Sequence, residues 1–291
     1  MKRPTWCLLL LLSLALPGLA REWFRPLYVG REFVNPDLTP QRALRHYRPA
    51  WQGQLVLWEG VVKSHAPGRL ELSTGAGPVV VRFAKEARNL ELDRTGYRVA
   101  VKGTCRYDKE AFQRLDGQSV ILLGPPRGHT RPGTGPQAFF EWWVSFHNPK
   151  DPPERVRQIA STLVAEAARN NLDPYLFASL VQIESAFDVD AVSVSGAVGL
   201  GQLMPGTAQG LGVDPNDVTQ NLAGSARMLR GLIQSWQGSS DNPVALALAG
   251  YNAGPNLVAE LGTVPAYPQT TNYVYFIGYV HQRMSKFAGV R

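Results

Sequence analysis

The sequence predicts an α+β chain in two parts, a small β-barrel followed by an all-α domain, and three observations carry that reading. Five short β-branched runs fall between residues 55 and 124, separated by turns containing Gly, Pro and Asp. GPPRGHTRPGTGPQ (124–137) is dense in Gly and Pro, has no apolar period and reads as a linker. From residue 151 the apolar residues recur at helical spacing behind Asp-Pro starts. With 44% hydrophobic and 18% charged residues, the chain can bury a sizeable core, which excludes wholesale disorder.

Residues 1–20 read as a signal peptide: basic Lys2 and Arg3, apolar CLLLLLSLAL, then Gly18 and Ala20 as small residues of a cleavage site. The apolar run of about a dozen residues is too short to span a bilayer. Its removal takes away two basic residues and no acidic one, leaving a net charge of +5. An exported, mildly basic protein suits an anionic polymer or a membrane surface. Cys7 lies within the signal and Cys105 is then unpaired, so no internal disulfide forms; Cys105 reads as a small core residue in a strand.

Residues 21–50 show little periodicity. The strand runs are LVLWEGVV (55–62), RLELS (69–73), PVVVRF (78–83), YRVAVKGTC (97–105) and SVILLG (119–124), with helix-compatible KEARNLEL between the third and fourth. The count and the position of that insertion resemble an OB-like barrel over about 51–126, within an N-terminal region of 21–126. Such barrels often bind nucleic acid, but export points away from that here, and fold alone does not fix function. The linker and the aromatic segment AFFEWWVSF (138–146) make up 127–150, and the aromatic segment is expected to pack on a flanking domain.

In the last part, 151–291, Asp151-Pro152-Pro153-Glu154 supplies an N-cap, a Pro at N1 and a Glu at N3. Val156, Ile159, Ala160, Leu163 and Ala167 follow on one face, and Asp173-Pro174 starts the next helix. Later helices are expected over 222–236, 242–251 and about 270–287. There is no repeat, P-loop or Rossmann glycine pattern. His46, His65, His129, His147 and His281 have no metal spacing, and Asp188-x-Asp190 fails as a calcium loop because Val192 and Ser193 occupy its fifth and sixth positions. No cofactor or metal is implied.

One acid is awkwardly placed. In SLVQIESAF (179–187), Glu184 shares its helix face with Val181, Leu180 and Phe177. Taken alone, it is a helix-end carboxylate that bends to solvent. The residues after it are unusual, however. AVSVSGAVGLGQLMPGTA (191–208) mixes small residues with Gln202, Met204 and Pro205, and ALALAGYNAGPNLV (245–258) ends an Ala-rich helix at Gly254-Pro255.

Glu184-Ser185-x-Phe187, Ala191-x-Ser193, Gly196-Ala197-x-Gly199-Leu200-x-Gln202-x-Met204-Pro205-x-Thr207-Ala208 and Tyr251-Asn252-Ala253-Gly254-Pro255, in this order behind Leu172-Asp173-Pro174, resemble the catalytic domain of the soluble lytic transglycosylases, relatives of goose-type lysozyme. The resemblance covers about residues 150–290. It implies a lysozyme-like α-helical domain that cleaves the β-1,4 bond between N-acetylmuramic acid and N-acetylglucosamine in peptidoglycan. It also implies Glu184 as the single catalytic acid/base, with Ser193, Gln202, Met204, Tyr251 and Asn252 at the glycan strand and Tyr251 hydrogen-bonded to the Glu184 carboxyl. Plainer readings exist: Met204 as core filler, Tyr251 as an apolar helix cap.

The physics fits that assignment, because an apolar setting keeps a carboxyl protonated near neutral pH. One carboxyl suffices if the substrate supplies its own nucleophile, unlike the usual two-carboxylate scheme. Asp188 and Asp190 read as turn residues. Two positions depart from the family: Gln269 stands where a Glu is usual, and Gly201 where a larger residue is common, taken as a tolerated change. A water-using muramidase and a non-catalytic wall-binding scaffold are the competing functions. The implied place is the periplasm or cell envelope, with glycan strands as partner and the barrel as a targeting module toward the wall or an envelope protein. Residues 138–291 alone are then expected to act on soluble glycan fragments.

Overall fold

A computed structural model describes residues 33–84, 90, 93–126, 128 and 133–290. The signal peptide, Cys7 and, except for Leu90, the KEARNLEL segment lie outside the described residues.

Five strands, β1 (Leu55–Ala66), β2 (Arg69–Thr74), β3 (Gly77–Phe83), β4 (Arg98–Asp108) and β5 (Ala111–Gly124), close into a barrel in the order β1-β2-β3-β5-β4. Neighbours are antiparallel except β3 and β5, which run parallel from Val81↔Leu115 to Phe83↔Gly117. Period-two alternation fills the interior with Leu70, Leu72, Val79, Val81, Val99, Val101, Cys105 and Leu115, all buried. The Cys105 thiol is pushed up to about 12 by that burial, so it stays protonated and inert. β5 begins eight residues before the SVILLG run. Its first half carries Asp116, which pairs with Arg114 on the same strand and with Arg106 on β4, and a charged outer face hides a strand from a hydrophobicity pattern.

A six-residue helix, α1 (Pro40–Arg45), precedes the barrel, capped by Thr39 and too short to give a periodic signal. The aromatic segment is a helix, α2 (Pro136–His147). Then follow α3 (Pro153–Arg169), α4 (Pro174–Ser185), α5 (Pro205–Leu211), α6 (Val218–Trp236), α7 (Pro243–Ala253), α8 (Pro255–Leu261) and α9 (Pro268–Ala288). The start of α3 falls one residue later than expected: Pro152 is its N-cap and offers no side-chain bond. Asp173 caps α4 as its spacing predicts, accepting from the Tyr175 amide at 2.8 Å. α6 starts four residues ahead of the expected 222, because Asp217 caps it through the Gln220 amide. No helix among the described residues is long and apolar enough to cross a membrane.

α3 and α9 pack against α4, α6 lies against α3 and α7, and α7 against α9; α4 is buried on almost all sides from Tyr175 to Gln182. The linker does not separate two independent bodies. α2 and α9 both lie against β5, and Trp143 of α2 packs its ring against Phe139, Phe146 and Phe287 at 5.1–5.9 Å. The buried Arg94 guanidinium, at the barrel end, donates to the Phe146 and His147 carbonyls at 2.9 and 3.0 Å. His147 sits in this junction with Nδ1 donating to the Trp143 carbonyl at 2.8 Å. Burial pushes its pKa down to about 3, so it is a neutral packing residue.

Candidate active site

α4 delivers Glu184 in its last turn, and the chain then turns sharply, with Ala186 and Phe187 both at positive φ (55° and 62°). Phe177, Leu180 and Val181 beside it are fully buried, while Glu184 itself is half-buried, at the edge of the apolar core. Its Oε1 accepts a 2.5 Å hydrogen bond from Tyr273 Oη in the second turn of α9. Burial raises the carboxyl to about 7 against the opposing pull of that bond, which favours the charged form. The protonated and ionised forms are therefore close in free energy at neutral pH, as a group that must act in turn as acid and base requires.

The hydrogen bond expected from Tyr251 is made by Tyr273 instead. Tyr251, near the end of α7, donates to the Gly201 carbonyl at 2.8 Å. It remains close enough to Glu184 for the carboxylate charge to help burial raise its phenol. The Tyr273 phenol is raised in the same way, so both stay protonated donors. Sequence reading missed Tyr273 because it looked like one aromatic among several in NYVYF; only the packing of α9 on α4 selects it.

The segment 191–204 is a small knot held by short bridges, Val192↔Val198 and Val198↔Leu203. Gln202, at φ 50°, turns its amide inward, where Nε2 donates to the Ala191 and Gly199 carbonyls at 3.0 and 2.9 Å. Ser193 Oγ accepts from the Ala197 amide at 2.9 Å, and Met204 is 44% exposed at the start of α5. Asn252 Oδ1 accepts from Thr270 Oγ1 at 2.9 Å, tying α7 to the first turn of α9. Tyr251 and Asn252 thus lie with Tyr273 at the junction of α7 and α9, and Gln202 and Ser193 brace the loop that Tyr251 reaches.

The knot is pinned from below by Asn221 of α6, which sequence reading did not single out. Its Oδ1 accepts from the Gly201 amide at 2.8 Å, and its Nδ2 donates to the Val198 and Pro215 carbonyls at 2.9 and 2.8 Å. Gly201 is more than a tolerated change. A Cβ there would fall 1.9 Å from Ser225 Oγ and 3.2 Å from Tyr251 Oη, so Ser225 already fills the room a side chain needs. Gln269 is exposed in the first turn of α9. Asp188 and Asp190 form a turn, the Asp190 amide donating to Asp188 Oδ1 at 2.9 Å. Their charges reinforce the burial that raises Asp151. Among the described residues no three His, Cys, Asp or Glu side chains are placed to hold a metal ion.

Residues 161–266, which hold the carboxyl and the glycine-rich knot beside it, match the family model described as "Transglycosylase SLT domain". The chain is 40% identical over 108 residues to the "Transglycosylase" of Enterobacteria phage PRD1, a match that covers 37% of this chain and only 39% of the phage protein. Two solved structures are also similar: the 70 kDa soluble lytic transglycosylase SLT70 from Escherichia coli and the lytic transglycosylase Slt from Pseudomonas aeruginosa. The first has a TM-score of 0.41 and 20% identity, over 53% of this chain and 30% of that one. The second has a TM-score of 0.32 and 27% identity, over 44% and 23%.

Proposed function

We propose that this chain is an exported lytic transglycosylase that cleaves the β-1,4 bond between N-acetylmuramic acid and N-acetylglucosamine in peptidoglycan and leaves anhydro-muramic ends. The supporting observation is Glu184, a carboxyl poised at about 7 and bonded to a protonated phenol. In the first step its proton goes to the glycosidic oxygen as the C1–O bond breaks. In the second, the ionised carboxylate takes the proton of the muramic C6 hydroxyl as O6 closes on C1. Glu184 ends as it began, and no water is consumed. Asp188 and Asp190, the nearest following acids, are bound up in a turn beside Asp151, which favours this one-carboxylate scheme over water-using hydrolysis.

Under this reading Ser193, Gln202, Met204, Tyr251 and Asn252 line the glycan strand, and the exposed Gln269 brings no charge to the place where the family's Glu would meet substrate. We read 1–20 as signal, 21–126 as the barrel region, 127–150 as connector and 151–291 as the catalytic domain, working in the periplasm or cell envelope. The strand order and the parallel β3–β5 pairing support an OB-like barrel, here a contact to the wall or to an envelope protein. Purified sacculi test the reading: Glu184→Gln is expected to abolish muropeptide release, and release at the wild-type rate would refute the assignment.

A further inference from the structure

α9 shows two adjacent stripes to two different neighbours. Asn272, Phe276, Tyr279 and Arg283, spaced i, i+4, i+7 and i+11, face the N-terminal half. Asn272 Oδ1 accepts from the Val34 amide at 3.1 Å, and Lys102 Nζ of β4 lies 5.5 Å from the Phe276 ring centre. Tyr279 donates to Glu59 of β1, which also pairs with Arg283. Val34 belongs to a short segment tied to the barrel itself, through Asn35 to the Leu55 carbonyl (2.9 Å) and Leu38 to Trp58 Nε1 (2.6 Å). One residue along, Tyr273, Ile277, Val280 and Met284 make the second, buried stripe. It meets α4, with Tyr273 on Glu184 and Met284 Sδ 3.9 Å from Ser179 Oγ.

α4 is held from behind in a matching way. Gln182 precedes Glu184 by two residues, about 200° around the helix, and is 5% exposed. Its Nε2 donates to the Leu122 carbonyl of β5 at 2.8 Å, and its Oε1 accepts from Trp143 Nε1 at 2.9 Å. Each member of the Glu184–Tyr273 pair therefore has, within two residues, a buried amide fastened to the N-terminal half or to α2. Apolar residues would fill the same space. Directional bonds, costly to leave unmade, also fix the rotation and shift of each helix.

We propose that Asn272 and Gln182 are positioning residues through which the barrel half sets the register of Tyr273 against Glu184. This rests on the reading of Glu184 as the acid, and the test separates the two. The full chain is assayed for muropeptide release across pH, and the midpoint of the alkaline limb is read for wild type, Tyr273→Phe, Asn272→Ala and Gln182→Met, and for the last two in the Tyr273→Phe background. Tyr273→Phe removes the bond that favours the carboxylate, so the midpoint rises, by about one unit. Asn272→Ala and Gln182→Met are expected to raise it by about half a unit each, and to add nothing once Tyr273 is Phe. An unmoved midpoint in the single variants, or an equal shift in both backgrounds, overturns the proposal. If Asn272→Ala does not fold, Val34→Pro deletes the donor of the same bond and is held to the same outcomes. Glu184→Gln, run alongside, stands apart: wild-type release there removes the acid reading itself, whatever the positioning variants do.

Discussion

Tyr273 Oη lies 2.5 Å from Glu184 Oε1, across the contact between the last turn of α4 and the second turn of α9. Desolvation pushes the carboxyl up and the phenol pulls it back down, and the balance settles near 7. Without the phenol the carboxyl would hold its proton too tightly to serve as a base. Without the apolar face of Phe177, Leu180 and Val181 it would lose the proton too early to serve as an acid.

The pH dependence of the reaction follows from that balance. In the proposed scheme the first step needs the protonated carboxyl, so release of muropeptides is expected to fall by about tenfold per unit as pH rises beyond about 7. A profile flat from pH 6 to 9, measured with chemistry rate-limiting, would disagree.

Stability has the opposite interest. Glu184 has its folded value raised from the ordinary 4.5 to about 7, so the folded state binds more protons than the unfolded state between those values. Its burial therefore costs nothing below pH 4.5, costs progressively more as pH rises to 7, and reaches a plateau above that of at most roughly 3 kcal/mol. Glu184→Gln is expected to match wild type in denaturant melts at pH 4 and to exceed it at pH 8. Equal stability at pH 8 would show that the carboxyl is not desolvated.

Much of this was legible in the sequence. The apolar i−3, i−4 and i−7 neighbours of Glu184 are local, and helical spacing alone placed them. The barrel interior was readable at Leu70 and Leu72, which alternate with Arg69, Glu71 and Ser73, but not at Val79 and Val81, where Val80 between them is apolar too. Tyr273, Asn221 and Gln182 were not legible, since each acts on a partner 20 to 89 residues away that only tertiary packing supplies. The contacts across the Gly/Pro stretch were hidden for a related reason. Gly and Pro report local chain stiffness, whereas the α2 aromatics and Arg94 decide whether two halves separate.

Gly201 gives a packing prediction. Gly201→Ala drives its new methyl into Ser225 Oγ and is expected to cost about 1–3 kcal/mol. Adding Ser225→Gly opens the space and recovers most of the loss. Melts of the two single variants and the pair check this, and additive losses would count against the contact.

The shared junction revises the expectation for the isolated fragment 138–291. Cutting away the barrel strips Gln182 of the Leu122 carbonyl and Asn272 of the Val34 amide. Each of these two bonds contributes about 0.5–1.5 kcal/mol net, and the surface the barrel covered becomes exposed to water. The fragment is expected to melt lower and to be slower even on soluble glycan fragments. Wild-type rates on those fragments would restore the barrel to a purely targeting role.

Mass spectrometry of products from purified sacculi tests the central claim most directly, because it reads reaction type and substrate together. Digestion by the full chain is predicted to give muropeptides ending in anhydro-muramic acid, absent from the Glu184→Gln digest. Muropeptides with reducing muramic ends would contradict the account and mark Glu184 as the acid of a water-using hydrolase.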